Sequence, residues 1–108
     1  MTTFTAFIDD RGYNGFSVSG HSGYGEEGGD IVCAAVSSAV SLALSLLERT
    51  GCKFSLDVSD DNAHVGLELF PNEKGDLVID ALREHFDGIA QEYGKFLSVA
   101  VKRRRTQS

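Results

Sequence analysis

Five runs of this chain alternate apolar and polar residues with a period of two, and two longer segments between them do not. Phe4, Ala6 and Ile8 alternate with Thr3, Thr5 and Phe7, and Phe16 and Val18 alternate with Ser17 and Ser19. Phe54, Leu56 and Val58 alternate with Ser55, Asp57 and Ser59, and Val65, Leu67 and Leu69 with Gly66, Glu68 and Phe70. Leu97, Val99 and Val101 repeat the pattern near the C-terminus. Such alternation places one side of a strand on a core. Residues 31–49 have the length and composition of a helix. In the second long segment Val78, Leu82, Phe86, Ile89 and Tyr93 recur at steps of three and four, the spacing of an amphipathic helix. The order β-β-α-β-β-α-β predicts an α+β fold: a mainly antiparallel sheet with two helices packed on it.

Turn and cap residues separate these elements. Residues 9–15 hold the Asn14-Gly15 pair, a hairpin signal, and residues 59–62 form a polar turn. Asp30 suits the N-cap of the first helix and Gly51 its left-handed stop. After Pro71, Asp76 is the expected cap of the second helix, and Gly94 fits the position after its end. At 108 residues the chain is one domain, which buries roughly two thirds of its unfolded surface. A hydrophobic content of 42% with a single proline excludes a disordered chain. The start, Met1-Thr2-Thr3-Phe4, lacks the basic and apolar regions of a secretory signal. The longest apolar run, residues 39–47, is about half of the ~20 residues a membrane span needs. A cytoplasmic protein is therefore expected.

The charge is uneven. Ten Lys and Arg face sixteen Asp and Glu, a net charge of −6, and four of the ten are Lys102, Arg103, Arg104 and Arg105. Residues 1–101 thus carry six basic against sixteen acidic groups, a net charge of −10. Such a body suits a basic polypeptide better than nucleic acid, and no direct nucleic-acid role is expected. The basic tail, residues 102–108, is expected to be mobile and solvated, contact with RNA being the less favoured reading.

The chemistry concentrates between His21 and Ser37. His21 ends the second strand. The loop that follows carries Gly23, Gly25, Gly28 and Gly29 with Glu26 and Glu27, a composition that suits a mobile lid. Cys33 then falls at about the third position of a helix begun by Asp30. A helix start offers unpaired N–H groups and a positive dipole end, both of which favour a thiolate, and a neighbouring imidazole can take the proton. The same N–H groups can hold an oxyanion. A buried, unreactive cysteine beside an unrelated histidine is the competing reading. Asp30 either caps the helix or orients His21 as a third member. Ser37 lies one turn beyond Cys33, followed by Ser41 and Ser45, a small polar seam that suits close packing, a subunit contact or support of the thiol. A disulfide to Cys52 is not expected, because a helix over residues 31–49 separates the two cysteines by about 28 Å.

Two other sites fit less well. Gly23-Tyr24-Gly25-Glu26-Glu27-Gly28 matches the dinucleotide pattern, but Glu26 and Glu27 would face a pyrophosphate and the chain is short for that fold. His64, His85 and Cys52 lack metal-ligand spacing, so neither metal nor cofactor is expected.

Gly20-His21, the glycine-containing spacer and Gly29-Asp30-Ile31-Val32-Cys33-Ala34-Ala35-Val36-Ser37 resemble the signature of the ribosomal-processing cysteine protease family, Prp. The length and element order resemble that family as well. The resemblance implies a cysteine endopeptidase, a hydrolase, with Cys33 as nucleophile, His21 as base and Asp30 and Ser37 in support. It also implies a homodimer and a role in ribosome biogenesis: removing the N-terminal extension of ribosomal protein twenty-seven of the large subunit. Such a basic precursor suits the acidic body. The alternative is a non-enzymatic ribosome-associated binding or assembly module.

Overall fold

The computed structural model describes residues 1–20, 29–59 and 63–106. The elements are β1 (Thr2–Asp9), β2 (Gly12–Ser19), α1 (Gly29–Arg49), β3 (Phe54–Ser59), β4 (His64–Leu69), α2 (Glu73–Tyr93) and β5 (Leu97–Arg103). The order and the α+β class are those the alternation predicts. The strands lie in the order β3-β4-β2-β1-β5. Three of the neighbouring pairs are antiparallel, and β1 and β5 run parallel, Phe4 opposite Val99. The last strand returns to the hairpin's outer edge by way of α2, a crossover that brings it in parallel.

Both helices cover one face. Val32, Val36, Val40, Ala43 and Leu47 of α1 are buried with Val78, Ile79, Leu82 and Phe86 of α2. They meet Phe4, Ala6, Phe16, Val18, Leu67 and Leu97 of the sheet. Phe4 anchors this core, its ring 4.9 Å from that of Phe86 in an edge contact and 5.6 Å from that of Phe16. At 21 residues, α1 is long and apolar enough to cross a membrane by length and composition, more than its interrupted apolar run suggested. Core helices pass the same test, and the buried stripe of α1 packs here into the core.

Several boundaries differ from expectation. The turn between β1 and β2 is tighter, so β2 begins at Gly12, opposite Asp9. Asn14-Gly15 is not the turn. Phe7 pairs with Gly15 and Ile8 with Tyr13, which leaves Asn14 as the extra residue of a bulge. Asn14 is 1% exposed and donates from Nδ2 to the Arg104 carbonyl and to Thr106 Oγ1. The second helix is capped by Asn72, whose Oδ1 accepts the Gly75 N–H at 2.8 Å; Gly75 enters the first turn where the sequence suggested a break. Asp76 instead accepts the Tyr13 N–H at 2.8 Å and so fastens the hairpin to α2. Tyr13 adds a bond to Asp80, itself paired with Arg83, and that bond and the Arg83 ion pair hold the Asp80 carboxyl below its usual range. Gly51 ends α1 as expected, at φ +78° with Cys52 N–H bonded to the Leu47 carbonyl. Gly94 has φ −60° and makes no use of glycine's freedom.

The basic tail is not free over its described length. Lys102 and Arg103 complete β5, and Arg104 N–H bonds to the Ile8 carbonyl at 2.9 Å. The Arg104 guanidinium lies 4.0 Å from the centre of the Phe7 ring, and Arg103 pairs with Asp10. Continued strand pairing and carboxylates on the β1–β2 turn hold these residues where repulsion alone would spread them.

Candidate active site

The topology fixes which residues share an end of the sheet. Ser19, at the close of β2, pairs with His64 of β4, which pairs with Ser59 at the close of β3. The far end is marked by Phe54 opposite Leu69. Only Cys52 and Lys53 lie between the turn after α1 and β3, so the C-terminus of α1 sits at that far end. A helix of 21 residues spans about 31 Å, so its N-terminus lies at the Ser19 end. Cys33 is thereby brought to the end at which β2 leads toward His21.

Cys33 is the fifth residue of α1, one turn inside the helix. The helix starts two residues earlier than expected, so Asp30 is an exposed first-turn residue and not the N-cap. There its carboxylate still complements the positive dipole end. By the α-helical pattern the N–H groups of Gly29, Asp30 and Ile31 have no carbonyl four residues back within the helix, whereas that of Cys33 reaches the Gly29 carbonyl. Helical Cα–Cβ bonds tilt toward the N-terminus, so the thiol leans back toward those donors. Cys33 is half-buried and Ser37, one turn on, is exposed. Both cysteines are free thiols, as the helix length predicted. His21, Gly23, Gly25 and Gly28 lie outside the described residues; Gly29 is buried at the start of α1. Among the described residues no group of three potential metal ligands occurs.

Two features of this end escape a reading of residue types. The first is Gly20, which sits at φ +89°, where an added Cβ would approach the Met1 carbonyl oxygen to 2.4 Å. Its N–H donates to Ala63 at 3.2 Å, so the residue before His21 is held between β1 and β4. A glycine preceding the histidine was the available signal.

The second is an apolar shelf. Val58 lies opposite Val65, Val65 opposite Val18, and Val18 opposite Phe4, all on the helix-covered face. Phe4 is 0% exposed and Val58 is 58% exposed, with Leu56 beside it at 45%. The helix layer therefore stops short of β3. Cys33 and Ser37 lie on the flank of α1 turned away from the α2 groove, which is lined by Ala35, Ala39, Leu42 and Leu46. That flank borders the uncovered part of the sheet. Nothing in the period of β3 distinguishes a covered strand from this one.

Known proteins place these features in context. A curated relative, the ribosomal processing cysteine protease Prp of Bacillus subtilis, is 29% identical over 98 residues, covering 83% of this chain and 87% of the relative. SMU.848 from Streptococcus mutans superposes with a TM-score of 0.85 at 25% identity, covering 96% of this chain and 99% of that one. The essential ribosomal processing protease Prp from S. aureus, in complex with a covalently linked product peptide, superposes with a TM-score of 0.84 at 21% identity, over 94% and 100% of the two chains. It has the same fold. The family model described as Cysteine protease Prp matches residues 1–98, and the chain belongs to that family.

Proposed function

We propose that this chain is a cysteine endopeptidase that trims a ribosomal protein precursor, and that Cys33 is its nucleophile. The observation that carries this reading is Cys33 within the first turns of α1, at the sheet end leading to His21, in a chain of the cysteine protease Prp family. His21 takes the Cys33 proton, and the thiolate attacks the scissile carbonyl. Donors of the first turn, Gly29 to Ile31, hold the oxyanion. The amine leaves with the proton from His21, and water then releases the acyl group from sulfur. Asp30 stands at this helix start to steady the imidazolium, and Ser37 supports the thiol from the next turn. A lid is assigned in this reading to Gly23, Gly25 and Gly28; Gly29, expected to belong to it, is instead the buried first residue of α1.

The substrate is a basic ribosomal protein precursor carrying an N-terminal extension, that of ribosomal protein twenty-seven of the large subunit. The net charge of −10 on residues 1–101 supports a basic substrate. A cytoplasmic location belongs to the same reading, and the free thiols of Cys33 and Cys52 support it. The test is to incubate the purified protein with a peptide spanning the extension and the mature start, and to read the products by mass spectrometry. One cut at the junction is expected, and an intact peptide refutes the substrate. The shelf supplies a second measurement. Leu56→Asp puts a charge where an apolar substrate side chain rests, and KM should rise about tenfold with kcat little changed. An unchanged KM removes the shelf from the substrate path.

A homodimer belongs to the same proposal. A groove of 520 Å³ runs between α1 and α2, bordered by Leu42 at 62% and Leu77 at 73% exposure. Apolar residues so exposed on facing helices suit a second copy. Sedimentation should give a dimer for the native chain and a monomer for Leu42→Glu/Leu77→Glu. A monomeric native chain refutes the dimer, and a variant that still pairs moves the interface elsewhere.

A further inference from the structure

The far end of the sheet from Cys33 carries a second constellation. A cavity of 310 Å³ opens there, lined by residues that include Asn14, Lys53, Glu68, Phe70, Arg104 and Arg105. Three cations from two distant parts of the chain thus converge in an otherwise acidic protein. Arg104 is fixed: its guanidinium lies over Phe7 at 4.0 Å and donates to the Asn14 carbonyl at 3.1 Å. Among the described residues no carboxylate lies within ion-pair distance of Lys53, Arg104 or Arg105. Glu68 is the one carboxylate in the wall and acts on Arg104 only at longer range.

The cavity asks for more than negative charge. Phe70 stands at its rim with 59% of its surface exposed. An exposed aromatic face beside cations suits an unstacked base next to its phosphate. Asn14 is buried, both of its described side-chain bonds leave from Nδ2, and Oδ1 has no donor among the described residues. That oxygen is itself buried, so the cations and the ring are what the cavity presents to a ligand. An acidic peptide would engage the cations but leave the ring without a role. A duplex would press its dense charge against the acidic body.

We propose that this cavity binds single-stranded RNA, with a phosphodiester on Lys53, Arg104 and Arg105 and a neighbouring base on Phe70. The proposal departs from the expectation from composition of no direct nucleic-acid role, on the ground that Arg104 and Arg105 line one cavity with Lys53. The site is independent of Cys33 and would fit a protein that works on a ribosomal precursor.

The experiment is fluorescence anisotropy with a labelled oligouridylate, across a range of salt concentrations. Saturable binding by the native chain is expected. Lys53→Gln/Arg105→Gln, both exposed positions, should weaken it at least tenfold and reduce the log–log salt slope by up to about 0.7, the contribution of the one single-strand phosphate they hold with Arg104. Phe70→Ala should weaken it about tenfold with the salt slope unchanged. Unfolding temperatures measured alongside exclude loss of fold. The proposal is overturned by absence of saturable binding, by variants that bind as the native chain does, or by polyglutamate competing as well as RNA.

Discussion

Cys33→Ala should abolish peptide cleavage while leaving peptide binding intact. Removing a nucleophile that works as a unit with its base lowers kcat by on the order of 10⁶. The residual rate comes from first-turn donors and bound geometry, which the substitution leaves in place. Cys33 is half-buried, and alanine retains its Cβ, so little buried surface is lost. The measurement is single-turnover cleavage of the extension peptide, with the dissociation constant read separately. Alkylation gives an internal control. Cys52 Sγ lies 3.4 Å from Asn72 Oδ1 and 3.5 Å from Thr50 Oγ1, closed against the α2 cap, so iodoacetamide should modify Cys33 first and stop cleavage as it does so. Full cleavage by Cys33→Ala would refute the mechanism. Loss of cleavage through Cys52 modification alone would point to the wrong thiol.

Gly15→Ala should destabilise the fold more than any other single-methyl addition in the sheet. Gly15 sits at φ +152°, and a Cβ there would lie 2.0 Å from the Leu67 carbonyl oxygen and 2.4 Å from an Arg104 nitrogen. Backbone cannot yield as a flexible side chain can, so β2 and β4 must part or the bulge must rearrange. Either outcome disturbs the buried Asn14 and its hold on Arg104. A cost of about 3–4 kcal/mol is expected. For a domain of this size that lowers the unfolding temperature by roughly 15 °C. Gly88→Ala is the contrast: Gly88 is exposed within α2 and a Cβ there meets nothing within 4 Å. It should stabilise by about 0.5–1 kcal/mol, because alanine loses less backbone freedom in a helix. Equal effects from the two substitutions would show that the bulge does not constrain the chain. Differential scanning calorimetry reads both.

The separation of Cys33 from Cys52 was legible because α1 is a rigid rod between them. The helix starts were less so. Asp30 and Asp76 both have the side chain of an N-cap, yet α1 and α2 begin earlier, at Gly29 and Glu73. Cap preference belongs to a residue type, whereas the start of a helix depends on which backbone donors find partners. Asn14-Gly15 misled in the same way, since a bulge and a hairpin turn draw on the same tolerance for positive φ. Arg104 shows the limit of charge composition: four successive cations read as a solvated tail until Phe7, Asp10 and the Asn14 carbonyl are seen to receive two of them, Arg103 and Arg104.

The sequence alone determined the five strands, the two helices, their order, and the placing of a cysteine at a helix start just after a histidine. Those properties depend on residues within about two turns of one another, and side-chain period records them. The tertiary structure decided that β5 lies parallel to β1, that α1 stops short of Leu56 and Val58, and that Lys53 lines one cavity with Arg104 and Arg105. Each of these depends on contacts between distant segments, and local period is the same whether a neighbouring layer covers a residue or leaves it to solvent.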